Sequence, residues 1–282
     1  GKLRMEIVDN YSSTLPLAGG RTLLYAGGKD NFTERVTIVN ESTTGKQLAA
    51  FLYGKEIRAE YAGAITLDDG TDAKNYPNLD LALKAVNDVS KDYTLTLNEN
   101  ITVSKLTIPK TAKSITFDGT DYLKLNMTAL ALPVDTTFGT NLVGANAKPL
   151  AITVAAGKKL DLSKANNITV KGTKTSVLNI SSYATIKGIS TFGEVNVADG
   201  IPLDVDGSVT AVTHFNGALW LMDPKNTANI TNFGTGEIVL CDIDGKIAKV
   251  TVGNVDANGE LRVRIINSGF DPINIAGGKT LL

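Results

Sequence analysis

The sequence predicts an all-β protein: a parallel β-helix with three short strands per coil, an amphipathic capping helix near 77–90, and antiparallel β flanks. Three observations predict it. Apolar–x–apolar triplets recur along most of the chain. The composition is rich in Thr, Asn, Asp, Gly, Val, Ile and Leu and poor in aromatics, which suits strands and turns. Only one segment has helical periodicity.

Residues 2–62 read as a β-rich flank, the tail of a preceding repeat module. Within it 34–40, Leu48–Tyr53 and Glu56–Tyr61 have strand character. The helix follows: Leu79, Ala82, Leu83, Val86 and Val89 form one apolar stripe over 77–90. Pro77 suits a first turn, and Asn75 or Asn78 can cap it. A solenoid must cover the strand edges at its ends, and an amphipathic helix before the first coil does so.

The triplets then run through Leu95-Thr-Leu97, Ile101-Thr-Val103, Leu106-Thr-Ile108, Ile115-Thr-Phe117, Leu123-Lys-Leu125 and Leu130-Ala-Leu132. They resume at Ile152-Thr-Val154, Leu160-Asp-Leu162, Ile168-Thr-Val170 and Leu178-Asn-Ile180. Val195-Asn-Val197, Leu203-Asp-Val205, Leu219-Trp-Leu221 and Ile238-Val-Leu240 complete the series. Each points two side chains inward and one outward. A β-sandwich would use fewer, longer strands. A spacing of about eight residues gives a coil of about 24, the signature of a parallel β-helix. Over 63–236 that makes about seven coils, rising roughly 35 Å. The stretch 135–149 interrupts the rhythm and reads as a loop suited to partner contacts. Residues 237–282 read as an antiparallel region that opens the next repeat, with a hairpin at Asp244-Gly245 and another turn at Asn258-Gly259.

The flanks echo each other. Residues 4–24 (RMEIVDNYSSTLPLAGGRTLL) align without gaps to 262–282 (RVRIINSGFDPINIAGGKTLL), so Arg4 falls on Arg262 at an offset of 258 residues. Either similar coils converge on similar turns, or a module of that length repeats in tandem, as in surface stalks.

Composition excludes several functions. A formal net charge of −1 over 282 residues offers no basic face for nucleic acid or an anionic membrane. No apolar run approaches the ~18–20 residues that span a bilayer. No signal peptide is visible, and Gly1 reads as a cleavage scar, which places targeting signals outside this segment. Cys241 is alone, so no internal disulfide or cysteine metal cluster forms, and it reads as a small core residue. His214 is the only histidine, which removes paired-histidine zinc sites.

Candidate sites are few. Trp220, Phe215, Asn216 and His214 form a potential ligand-binding patch, since aromatic rings beside amides stack on sugars. Trp220, between Leu219 and Leu221, is expected to face outward. The alternative is that these residues simply pack. Asp68, Asp69 and Asp72 are weak candidates for calcium, which wants several hard oxygens, or for an acid/base pair; Asp-Gly turn chemistry is the simpler reading. Asp118 and Asp121 repeat the same DGTD string. Asp204-Val-Asp206-Gly207, Asp242-Ile-Asp244-Gly245 and Asp256-Ala-Asn258-Gly259-Glu260 echo half a calcium loop and also read as turns.

The stretch GAITLDDGTDAKNYPNLDLALKAVNDVSKDYTLTLNENITVSKLTIPKTAKSITFDG resembles the opening of pectate-lyase-like right-handed β-helix surface proteins, in which a capping helix precedes such coils. The resemblance spans about 63–236 and lies in pattern, not in one motif. LTIP is also similar to irregular leucine-rich repeats of bacterial surface proteins, but their recurring Ala-Phe and Ile-Gly positions are missing. The β-helix resemblance implies a right-handed winding and an adhesin-like or wall-associated role. It also raises enzymes. Pectate lyases use an Arg or Lys base with carboxylate-bound calcium, pectin methylesterases two Asp with Arg and Gln, and polygalacturonases three Asp with His and Arg. Residues 63–236 contain no Arg and no Gln, so no residue set reproduces the esterase or polygalacturonase constellation, while a lyase with a Lys base stays open. The expectation is therefore a non-catalytic, extracellular module of a bacterial surface or secreted protein. No cofactor is expected beyond the weak calcium candidates, a monomer is favoured with the oligomeric state left open, and the module serves as solenoid spacer and contact surface for glycan or protein. The alternatives are a polysaccharide-active lyase or hydrolase, and a purely structural stalk.

Overall fold

A computed structural model describes the backbone of residues 3–9, 21–25, 36–42, 48–53 and 56–267, with side chains mainly over 62–267. Gly1, most of the shared AGG(R/K)TLL string and the second copy of the echo beyond Asn267 lie outside the described residues. The chain divides into two compact units, 1–87 and 88–282. None of the helices among the described residues is long and apolar enough to cross a membrane.

The first unit contains β1 (Leu3–Asp9), β2 (Arg21–Tyr25), β3 (Val36–Ser42), β4 (Leu48–Tyr53), β5 (Glu56–Tyr61), β6 (Ile65–Asp68), β7 (Ala73–Tyr76) and α1 (Leu79–Lys84). β2, β5 and β4 form an antiparallel sheet, as expected of the flank. β1 and β3 differ from that expectation, because they pair in parallel. Residues 65–76, read as the start of the β-helix, instead form the antiparallel hairpin β6–β7.

α1 is much shorter than the 77–90 span expected from the apolar stripe. Asn78 caps it, accepting from the Leu81 amide at 3.0 Å and donating to the Tyr53 hydroxyl at 2.9 Å. The helix ends at its C-cap Ala85, and Asp88, three residues on, disfavours a restart. The Asp88 carboxylate accepts from the amide and hydroxyl of Ser90, a local bond that competes with helix. The chain leaves this point as a strand, and Val89, expected in the buried stripe, is 68% exposed.

The second unit is a parallel β-solenoid, and the structure has about 8 turns. Its strands are β8 (Asp88–Leu97), β9 (Ile101–Val103), β10 (Ala112–Asp118), β11 (Tyr122–Leu125), β12 (Ala129–Leu132), β13 (Asp135–Gly144), β14 (Leu150–Val154) and β15 (Lys159–Lys171). β16 (Val177–Ile180), β17 (Ala184–Ser190), β18 (Glu194–Val197), β19 (Pro202–Leu221), β20 (Thr227–Cys241), β21 (Lys249–Val255) and β22 (Leu261–Ile266) follow. All pairings between them are parallel, so successive coils lie on one another and identical faces stack into columns. One column reads Tyr93, Ile115, Thr136, Leu160, Leu178, Val195, Phe215 and Phe233, every one buried. Another reads Leu130, Ile152, Val170, Ile189, Val209 and Ala228. Phe117 stacks on Phe138 at 5.0 Å between ring centroids, and Phe215 on Phe233 at 5.5 Å. Burying such rings dominates core energetics.

Two sequence expectations fail here. Of the segment 135–149 only 145–149 is irregular: over 135–144 β13 alternates Thr136, Phe138, Thr140 and Leu142 inward, all buried. Each buried hydroxyl is satisfied by a carbonyl, Thr136 by Val134 and Thr140 by Asp121. Nor is 237–267 antiparallel. β21 and β22 both pair in parallel with β20, so the solenoid continues through Ile266. Asp244-Gly245 does make a tight turn, with positive φ at both residues and a single antiparallel bridge from Ile243 to Lys246. The turn is a local excursion between coils, not a hairpin.

Candidate functional site

Parity along β19 sorts the expected binding patch. Phe215 points inward and is fully buried, so it is unavailable to a ligand. Its neighbours His214 and Asn216 therefore share the outer side of the strand. Trp220 faces away from buried Leu219 and Leu221, as expected, but it is no open platform. Together with Met222 it packs on a separate apolar cluster of Val239, Cys241 and Ile266. Cys241 is buried there, and burial pushes its thiol up. The structure keeps His214 and Asn216 together and assigns Phe215 and Trp220 to two different apolar layers.

Asn216 belongs to an outer column that the sequence reading missed. The register stacks Thr94, Thr116, Thr137, Asp161, Asn179, Asn196 and Asn216 in successive coils. From Thr137 onward they are hydrogen-bonded. The Thr137 hydroxyl donates to Asp161 Oδ2 at 3.2 Å, and Asn179 Nδ2 donates to Asp161 Oδ1 at 2.6 Å. Asn196 Nδ2 donates to Asn179 Oδ1 at 3.0 Å, and Asn216 Nδ2 to Asn196 Oδ1 at 2.8 Å. Every amide donates toward the preceding coil, and the chain of donors ends on a carboxylate, a charge-assisted acceptor. Lys159 lies 3.1 Å from the same carboxylate. Stacked amides of this kind are the side-chain ladders of in-register parallel strands.

The ladder stops after Asn216. The next coil has Gly234 there, where a Cβ would lie 1.9 Å from Asn216 Oδ1. Beside this end, His214 Nε2 and Asp256 Oδ2 are 2.7 Å apart, bridging β19 to the residue after β21. Next to it opens a shallow groove of about 340 Å³. Its floor is Ala198, Gly217 and Gly236, and its rim carries Asp199, Glu237, Glu260 and Arg262. Glycine is required by close approach. At φ +106, a Gly217 Cβ would meet the Val197 carbonyl at 2.5 Å, and at φ +156 a Gly236 Cβ would meet the Gly217 carbonyl at 1.9 Å. The rim is paired: Arg264 is bidentate on Glu237 at 3.0 and 3.1 Å, and Arg262 contacts Glu260 at 2.9 Å. The groove thus offers planar donor–acceptor pairs over a floor of small residues.

A second cluster lies on β17 and β19. Thr185 faces Asp204 across the ladder, and Lys187 forms an ion pair with Asp206. Burial first, then the Asp206 carboxylate, raise the Asp204 carboxyl above its ordinary value; Lys187 and a Tyr183 hydrogen bond oppose them. Tyr183 is half exposed. The sequence offers Asp204 and Asp206 as half a calcium loop or a turn; two apart on a strand, they share one side.

Asp68, Asp69 and Asp72 sit at the tip of the β6–β7 hairpin. Asp68 accepts from the Gly70 amide at 2.7 Å, and Asp69 from the amides of Thr71 and Asp72, each at 2.9 Å. Asp72 lies 3.3 Å from Lys74. These carboxylates close a turn, and among the described residues no three His, Cys, Asp or Glu converge to hold a metal ion. Comparison of the chain with protein-family models, with curated proteins and with solved structures finds no match, so its functional reading rests on these residues alone.

Proposed function

We propose that this chain is a non-catalytic extracellular module of a bacterial adhesin-like or wall-associated surface protein. Its solenoid, wound right-handed with three short strands per coil, acts as a spacer, and its outer groove is a contact surface for glycan or protein. The observation that carries this reading is the amide ladder. Side chains that a catalytic face would aim at a substrate are instead bonded to one another along the axis, which ties coil to coil. The groove beside the ladder's end supplies paired carboxylates and guanidinium groups suited to hydroxyls or peptide. Screening the intact chain against glycan arrays and surface-protein extracts, alongside Arg262→Ala and Asp199→Ala, tests the contact role. At least a five-fold loss of binding in these variants is expected, because each deletes a rim group; binding indifferent to both removes the groove from the reading.

A second reading has one observation behind it. A carboxyl with raised affinity for its proton, next to another carboxylate, a lysine and an exposed tyrosine, is the arrangement of an acid–base site. It favours a polysaccharide-active lyase or hydrolase centred on Asp204. Incubation with pectic and other acidic polysaccharides, with and without calcium, decides between them. Shortening of the polymer that Asp204→Asn abolishes would establish the enzyme and end the non-catalytic reading.

A further inference from the structure

The sequence echo and two strand pairings together describe a junction between modules. At the 258-residue offset Leu3 corresponds to Leu261. The structure begins a strand at each of these positions, β1 at Leu3 and β22 at Leu261. Both strands lie in parallel pairs, but their partners differ. β22 pairs with the end of β20, setting Val263 opposite Ile238 and Ile265 opposite Leu240. β1 pairs with β3, setting Met5 opposite Ile38 and Ile7 opposite Asn40. Met5 is the equivalent of Val263, and Ile7 of Ile265.

A strand has two edges and can take a parallel partner on each. We propose that wherever this period recurs, a single strand at the Leu3/Leu261 position serves both partners. One edge receives residues 236–241 of the preceding period, and the other receives residues 36–42 of the following one. The register follows directly: Ile238, then Val263, then Ile38 of the next period; Leu240, then Ile265, then Asn40. The partner is therefore a further copy of this module, and the occupant is its β3 strand. Where the outward edge of a coil carries a row of open backbone groups, it is a template for a further strand. β3 would satisfy that row, so modules would meet through a continuous parallel ladder and not through a flexible tether. This goes beyond the surface role proposed above and does not depend on any ligand.

A two-period chain tests it: the full sequence followed again by residues 25–282, compared with the single-period chain by residue-resolved hydrogen exchange. The alternate amides of 261–266 that do not bond to β20 should exchange on the order of ten-fold more slowly in the two-period chain, while 236–241 remain protected. Ile38→Pro in the second period alone should abolish the gain, because proline cannot donate to a ladder. Residues 36–42 of the first period report in the same spectra that the fold is intact. Equal exchange in the two chains overturns the proposal. So does a gain that survives Ile38→Pro, and so does protection won only by displacing 236–241.

Discussion

The outer face of the solenoid changes character at Asn216. Before it, from Asp161, each coil reaches the previous one through a side-chain amide. After it, at Gly217, Gly234 and Gly236, the ladder has no side chain to continue with. The coils there are joined by backbone approach and by exposed ion pairs such as Arg264–Glu237. The inner face also weakens, since Val255, in register with Phe233, is 45% exposed. The contrast teaches that stacking and access compete for the same positions. Where side chains lace coils together the surface is closed, and where glycine removes them a groove opens.

The core beneath the laced half should be the most costly place to cut. Phe138→Ala removes a fully buried ring stacked on Phe117 and should lower unfolding free energy by about 3–5 kcal/mol in a urea titration. A loss under about 1 kcal/mol would mean that the coils are not packed around this column. In the open half, Gly236→Ala forces a Cβ against the Gly217 carbonyl and should cost roughly 1–3 kcal/mol. It should also impair groove binding, so unchanged stability and binding together would remove the steric account of the groove floor. Asn196→Ala takes one donor and one acceptor from the middle of the ladder. About 1–2 kcal/mol is expected, and Asn216→Ala, at the ladder's end, should cost less. Equal losses at the two sites would show that the bonds do not act as a chain.

The smallest effect concerns pH. Asp204 binds its proton more tightly folded than unfolded, so folding is favoured as pH falls through the window between the raised folded value and the ordinary carboxylate value. Above that window the charged, partly buried carboxylate is a burden. Asp204→Asn should therefore match or exceed the parent's melting temperature at neutral pH and lack the parent's gain on acidification. A variant that is less stable at neutral pH would contradict the sign.

Much of the solenoid was legible because its triplets encode inside and outside directly. Ile115 and Phe117, Leu160 and Leu162, and Leu219 and Leu221 are all buried as that alternation requires. β13 escaped because two of its inward residues are Thr136 and Thr140, whose hydroxyls bond to carbonyls that hydrophobicity does not report. The apolar stripe overextends the helix because Val86 and Val89 continue its period past the C-cap at Ala85. The turn at Asp244-Gly245 was recognised, but a turn does not say where the next strand pairs. The ladder was hidden for a related reason. Asp161, Asn179 and Asn196 are the central residues of three triplets, visibly polar and outward. Knowing that they touch requires the coil lengths, which vary from turn to turn. Trp220 is the central residue of a triplet too, and no local pattern reveals the second apolar layer that covers it.

The one-way polarity of the Asn179–Asn196–Asn216 bonds has a consequence for how such a chain can change length. Each rung accepts from above and donates below in the same manner, so a duplicated or deleted whole turn leaves every remaining rung with the same kind of neighbour. Insertion of one residue instead swaps the faces of the strand and strands an amide in the interior. Growth by complete turns is thereby the permitted mode of variation in this stretch, and the height of the solenoid is adjustable in steps of about 4.8 Å.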